Sequence, residues 1–169
     1  QKMSLFEESA RVPLVIAAPG KGKKGAVAAT PVGLVDLYPT LAELCGVPAP
    51  ENLQGQSLVP MLQDPSATGR GWTLSQVTRG NKQVTTFGFA LRTRRWRYTE
   101  WDEGNRGREL YDHEADPMEQ TNLADDPAKA DLVADLSKLL REAAWSTLPE
   151  SGEMPPIQEG PWAPNLTRP

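Results

Sequence analysis

Hydrophobic and polar positions along the 169-residue chain change their period near residue 72. Ahead of that point, residues 12–18 form an unbroken apolar run instead of alternating. Such a run suits a strand covered on both faces, normally in a parallel sheet with helices on either side. Its sheet partners are expected ahead of residue 1, so the chain reads as the C-terminal piece of a larger α/β protein. The glycine-rich basic stretch 19–25 cannot hold regular structure and predicts a surface loop. Residues 32–35 read as a short second strand. Asp36 then stands where it would cap a helix over 37–45, with Pro39 tolerated in the first turn. Gly46 is placed for a left-handed C-cap, and Pro48 and Pro50 stop any continuation.

Residues 46–71 make a connector with one short amphipathic turn over 57–62, marking a subdomain boundary. Beyond it the pattern has period two. Residues 72–78 alternate, and 87–93 meets 96–101 across Arg94 and Arg95 as an antiparallel hairpin. Phe89, Leu91, Trp96 and Tyr98 fall on one face, which needs a cover because an isolated hairpin is marginal. The cover is a final helix: Asp126 caps it, Pro127 occupies its first position, and Leu132, Val133, Leu136, Leu139, Leu140 and Ala143 follow helical spacing. From residue 146 the prolines are too dense for a helix or a central strand and predict an extended strap. The expected organisation is therefore 1–62 as the end of a main α/β domain, 63–145 as a C-terminal subdomain of hairpin sheet and helix, and 146–169 as a proline-rich tail.

Composition narrows the function. A net charge of −4 and a pI near 5.1 argue against a nucleic-acid partner, because phosphate binding relies on a clustered positive field. Arg92, Arg94, Arg95 and Arg97 are the local exception. No apolar run approaches the roughly 18 residues of a membrane-spanning helix. The single Cys45 excludes an internal disulfide and any multi-cysteine metal site.

Several clusters invite chemistry. The 20–25 loop resembles a phosphate cradle, but Ala26 and Val27 stand where Lys and Ser or Thr are required. His113, between Asp112 and Glu114, could poise a proton near neutral pH; it reads first as a turn residue before Asp116-Pro117. Asp112, Asp116 and Glu119 could group around a metal, and read first as a loop lock. Asn165-Leu166-Thr167 fits a glycosylation acceptor only in a secretory eukaryote.

Seven pieces in order resemble the C-terminal region of a type I sulfatase of the alkaline-phosphatase-like superfamily, most like the iduronate-2-sulfatase-type group. They are Lys2 with Leu5-Phe6-Glu7-Glu8-Ser9-Ala10-Arg11-Val12-Pro13-Leu14; Pro19-Gly20; Val35-Asp36-Leu37-Tyr38-Pro39-Thr40-Leu41; Cys45-Gly46-Val47-Pro48; Gly55-Gln56-Ser57-Leu58; Leu91-Arg92-Thr93 with Trp96-Arg97-Tyr98-Thr99; and Glu109-Leu110-Tyr111-Asp112 with Asp116-Pro117-Met118-Glu119. The resemblance implies an α/β sandwich with a small antiparallel subdomain, and hydrolysis of sulfate esters of a sulfated carbohydrate. It also implies a divalent cation, usually calcium, a formylglycine made within Cys/Ser-x-Pro-x-Arg, and a periplasmic, secreted or lysosomal setting. That motif is absent, since Gly46-Val47-Pro48-Ala49 follows Cys45 with Pro at the wrong distance. Nucleophile and metal ligands are thus expected upstream, none of the metal ligands within this chain, and the chain alone is expected to be inert.

Lys2 stands where the family places a lysine in contact with the substrate sulfate. A fixed ammonium beside the oxygens that gain charge as the ester leaves stabilises that charge more than the ground state. Arg92, Arg97 and Trp101, on the face opposite the apolar stripe, are candidates to meet a sulfated, uronic-acid-bearing sugar. Pairing with Asp or Glu elsewhere in the protein is the competing role. The expected partners are the sulfated carbohydrate and the upstream catalytic part. The alternatives are a phosphodiesterase or phosphonate-monoester hydrolase of the same superfamily, and a non-catalytic polyanion-binding module.

Overall fold

The computed structural model describes residues 4–80 and 85–147. Lys2, most of the proline-rich tail and the glycosylation triplet lie outside the described residues.

Four strands form an antiparallel meander in the order β1 (Trp72–Gly80), β2 (Thr85–Thr93), β3 (Trp96–Trp101) and β4 (Arg108–Asp112). Because successive side chains alternate, the register decides both faces. Leu74, Leu91, Tyr98 and Leu110 stand in one row across the sheet, while Thr73, Arg92, Arg97 and Tyr111 form the next row on the opposite face. The apolar row is covered by helix α4 (Ala130–Trp145), whose Val133, Leu136, Leu140 and Ala143 join Leu91, Tyr98 and Leu110 in the core. Trp72, Leu74, Phe89 and Trp96 pack around it. Each large side chain so buried contributes about 1.5–3 kcal/mol of transfer free energy. Asp126 caps the approach to α4, accepting Ala128 N–H at 2.9 Å, and Pro127 opens a 3-10 turn over Pro127–Lys129.

The core face ends in a polar group. Glu100 is buried and its Oε1 accepts from Tyr98 Oη at 2.7 Å and Ser137 Oγ at 2.5 Å. Burial and the Glu100 carboxylate push the Tyr98 phenol up. At the outer border of β4, Asn122 Oδ1 accepts Leu110 N–H at 2.9 Å, Asn122 Nδ2 donates to Arg108 O at 3.0 Å, and Leu123 N–H donates to Leu110 O at 2.8 Å.

The N-terminal part corrects three expectations. Residues 12–18 form no strand: among the described residues they have no ladder partner, and Val15 is 90% exposed. A run that is apolar on both faces needs neighbours that these residues do not supply. Residues 32–35 are not a strand either; Leu34–Asp36 is a 3-10 turn leading directly into α2 (Leu37–Cys45). Asp36 does not cap α2 with its side chain. Wholly buried, it reaches back to Gly33 N–H at 2.7 Å and outward to Gln56 N–H at 2.9 Å and Arg70 Nη2 at 2.6 Å, so it ties α2, the connector and the approach to β1 together. Gly55 makes this possible, since a Cβ there would sit 2.0 Å from Val35 O.

Other expectations hold. Gly46 ends α2 at φ 66°, the left-handed C-cap. The amphipathic turn of the connector is α3 (Val59–Gln63). The hairpin turns at Arg94-Arg95, and the final helix lies across its apolar face. Strand β4 is an addition to the sequence-based elements.

Candidate functional site

Arg97 lies at the centre of the sheet face opposite α4 and is only 2% exposed. A guanidinium so buried demands partners for its five N–H donors, because an unpaired buried charge is costly. They come from two distant segments. Its Nε donates to Glu119 Oε1 at 2.5 Å, Nη1 to Leu5 O at 2.8 Å, and Nη2 to Glu7 Oε2. Glu7 opens helix α1 (Glu7–Ala10), and its Oε2 also accepts from Arg92 Nε at 3.2 Å.

Glu119 closes the arrangement. Its Oε2 accepts the backbone N–H of Glu7 at 2.7 Å, and its Oε1 accepts from His113 Nε2 at 2.8 Å. His113 Nδ1 stands 4.0 Å from Glu7 Oε1. Glu119 achieves this from a left-handed backbone, φ 55°, which is strained for a residue with a Cβ. Two carboxylates face two guanidiniums, so the group is charge-balanced and clamps the backbone at Leu5 and Glu7 onto β2, β3 and the loop after β4. Burial works to raise the Glu7 pKa, but hydrogen bonds and charge from Arg92 and Arg97 outweigh it and hold the carboxyl below its usual range. Beside the clasp, Phe6 packs on Tyr111 with ring centroids 6.0 Å apart, and burial pushes the Tyr111 phenol up to about 12.

Glu7, His113 and Glu119 are the one cluster of metal-ligand type among the described residues, their ligand atoms within 4.8 Å of one another. They do not fit the calcium that the fold family implies. Arg97 bridges the two carboxylates, and a dication would have to displace that guanidinium and share its space with Arg92.

Arg92 and Arg97 do lie opposite the apolar stripe, but they turn inward to Glu7 and Glu119 of this same chain. Arg97 presents no surface to a sugar. Trp101 stands on the same face beyond Thr99. Its ring fills the space left by Gly88, where a Cβ would come within 2.6 Å of it, and Arg79 lies over it at 6.0 Å. Burial raises the Glu109 pKa against the hydrogen bond from Trp101. Asp112 and Asp116 are loop locks as the sequence predicts. Asp112 takes a bidentate pair from Arg95 at 2.9 and 2.6 Å, and Asp116 accepts Gln120 and Thr121 N–H at 2.8 Å each. Glu119 leaves that group for the clasp, and His113 sits in a turn but directs its ring there too. Cys45 is exposed at the end of α2.

Sequence reasoning missed the Glu7–His113–Glu119 association. A signal for it exists: Arg97 alternates with core-facing Trp96 and Tyr98 in a strand covered on both faces, so it requires acids from distant segments.

The chain matches the family model described as N-sulphoglucosamine sulphohydrolase, C-terminal, over residues 1–145. It is 38% identical to arylsulfatase K of Gallus gallus over 148 residues, covering 83% of this chain and 27% of the relative. It is 36% identical to Delta 4,5-hexuronate-2-O-sulfatase of Bacteroides thetaiotaomicron over 141 residues, covering 82% and 29%. Among solved structures, it aligns with BT4656 in complex with its substrate D-glucosamine-2-N,6-O-disulfate at a TM-score of 0.72 and 27% identity, covering 86% of this chain and 30% of that one. The chain therefore spans between a quarter and a third of the length of these relatives.

Proposed function

Since the chain belongs to the N-sulphoglucosamine sulphohydrolase C-terminal family of sulfatases, we propose that it is the C-terminal portion of an enzyme hydrolysing sulfate esters of a sulfated carbohydrate. The observation that carries this reading is the family match over residues 1–145, which takes in both the segment beginning at Lys2 and the sheet that grips it. Two relatives point the same way: one is a Delta 4,5-hexuronate-2-O-sulfatase, and another was solved with its substrate D-glucosamine-2-N,6-O-disulfate.

In this reading Lys2 contacts the substrate sulfate, and its ammonium favours the charge that builds on the sulfate oxygens as the bond breaks. The clasp serves that lysine. Arg97 holds Leu5 O, and Glu119 holds Glu7 N–H, three and five residues after Lys2, so the segment that follows Lys2 into α1 is fixed to the C-terminal sheet. The nucleophile, made from a Cys or Ser ahead of residue 1, and the ligands of a calcium ion belong to the upstream part of the same protein. That part also covers the exposed apolar positions of the N-terminal segment, among them Val15 and Leu34.

The test is an assay of the full-length protein on a 2-O-sulfated unsaturated uronate disaccharide, an aryl sulfate, and a phosphonate monoester. Sulfate release from the disaccharide is expected, with Lys2→Ala lowering kcat by about 100-fold or more, the scale of removing one charge-stabilising contact. Hydrolysis of the phosphonate without sulfate release would assign the chain to phosphoryl chemistry instead.

A further inference from the structure

Two shallow depressions lie on either side of the start of β4 and share one residue, Arg108. The first, of about 630 Å³, runs between β4 and α4 and is lined by Arg108, Ser137, Lys138, Arg141 and Glu142 among others. The second, of about 420 Å³, lies on the other side of the strand and is lined by Arg79, Trp101, Arg106, Arg108, Glu109 and Asn122 among others. Arg79, Arg106, Arg108, Lys138 and Arg141 thus line a track that passes through Arg108, with Glu109 and Glu142 in its lining and Asp102, Glu103 and Glu100 beside Arg106 and Arg141.

The cations differ in what holds them. Arg141 leans toward Glu100 Oε2 at 3.5 Å, and Arg106 toward Asp102 at 3.6 Å. Arg79 donates to Thr78 O at 3.3 Å and lies over the Trp101 ring. Among the described residues Arg108 and Lys138 have no carboxylate partner. The loop before Arg108 is built closely against it: a Cβ on Gly104 would meet Arg108 Nε at 2.5 Å, and Asp102, Glu103 and Gly104 all hold left-handed backbone at φ 51°, 55° and 88°. Asp102 and Glu103, which carry a Cβ, are strained there and surrounding structure must maintain them, while Gly104 adopts that region freely.

We infer that this track is a second carbohydrate-binding site, separate from the clasp, in which Arg108 and Lys138 take sulfate groups of a sulfated oligosaccharide strand and the Trp101–Arg79 pair flanks a sugar ring. The inference deepens the proposed function and rests on its substrate class. Arginine matches the paired oxygens of a sulfate with parallel donors, and lysine supplies a point charge. Asp102, Glu103, Glu109 and Glu142 border the track, so a ligand gains only where its anionic groups meet Arg108 and Lys138 and its neutral hydroxyls meet the acids.

Titration of the full-length protein with a heparin-derived tetrasaccharide, followed by calorimetry at low salt, tests this. Arg108→Ala with Lys138→Ala is expected to weaken binding about tenfold or more, equivalent to about 1.4 kcal/mol, and binding should weaken as salt rises. Lys138→Ala alone, on an exposed helix surface, is expected to give part of that loss with an unchanged circular dichroism spectrum. The chemically desulfated tetrasaccharide should bind no better than the double variant, and inorganic sulfate alone should not compete at equal concentration. Wild-type affinity in the double variant would overturn the inference, as would loss of binding in Lys24→Ala, a cation of the distant 20–25 loop. Wild-type protein that releases no sulfate from any ester, yet binds the tetrasaccharide through Arg108, would overturn the proposed enzymatic function and leave this site standing.

Discussion

Arg97 and Glu119 form a buried ion pair, Nε to Oε1 at 2.5 Å, across 22 residues of sequence, and both side chains are more than 95% withdrawn from solvent. The pair has no stabilising role that can be read from Coulomb attraction alone, because desolvating both ions offsets much of it. Its effect is specific: Arg97 also holds Leu5 O, and Glu119 also holds Glu7 N–H, so the position of α1 depends on both.

Removing one partner leaves an uncompensated buried charge. Glu119→Ala is expected to lower stability by about 3–5 kcal/mol, measured by urea unfolding of the full-length protein. Arg97→Met combined with Glu119→Leu should cost clearly less than the sum of the two single changes. Additive costs would show that the two residues do not act as a unit.

Acid should release α1 through Glu7, which faces Arg92, Arg97, His113 and Glu119. Its folded-state pKa lies below the ordinary value, so its contribution to stability is fully present above the unfolded value of about 4.3. It is lost as pH falls through the lower folded value. Thermal midpoints of wild type and Glu7→Gln should therefore converge as pH falls from about 5 toward 3; a constant separation across that range would mean that Glu7 is not held ionised by the arginines.

The core should respond by volume. Leu91, fully buried between the sheet and α4, leaves a cavity when shortened, and Leu91→Ala is expected to cost about 3–5 kcal/mol in chemical denaturation. An effect below about 1 kcal/mol would mean that α4 does not seal that face.

Asp126→Ala should be milder, about 1 kcal/mol, since it removes one exposed cap acceptor at the entry to α4. Asp126→Asn should restore most of the loss, because the amide oxygen can accept the same Ala128 N–H. Failure of Asn to rescue would assign the effect to charge instead of capping.

The hairpin, α4, the Asp126 cap and the Gly46 terminus were legible because each is written in one continuous local stretch: period-two alternation, helical spacing, and a cap beside its helix. Strand β4 was not, since Arg108-Glu109-Leu110-Tyr111-Asp112 is short and mostly charged, and it becomes a strand through pairing with β3 and the Asn122 contacts. Asp36 shows a related limit. Its type and position predicted a local cap, whereas burial recruited it to join Gly33, Gln56 and Arg70. The clasp was only half readable: the hairpin placed Arg92 and Arg97 together, but nothing local selects Glu7, 85 residues from Arg92, as their acid. Residues 12–18 carry the opposite lesson, for an unbroken apolar run predicted a buried strand and among the described residues it pairs with none.

The amide of Asn122 imitates a stretch of main chain along the free margin of β4, occupying Leu110 N–H and Arg108 O, while Leu123 takes Leu110 O. An open margin is a template on which a second molecule can zip by strand addition. With these groups already paired by the Asn122 amide and the Leu123 N–H, the edge of β4 at Arg108 and Leu110 offers them to no fifth strand.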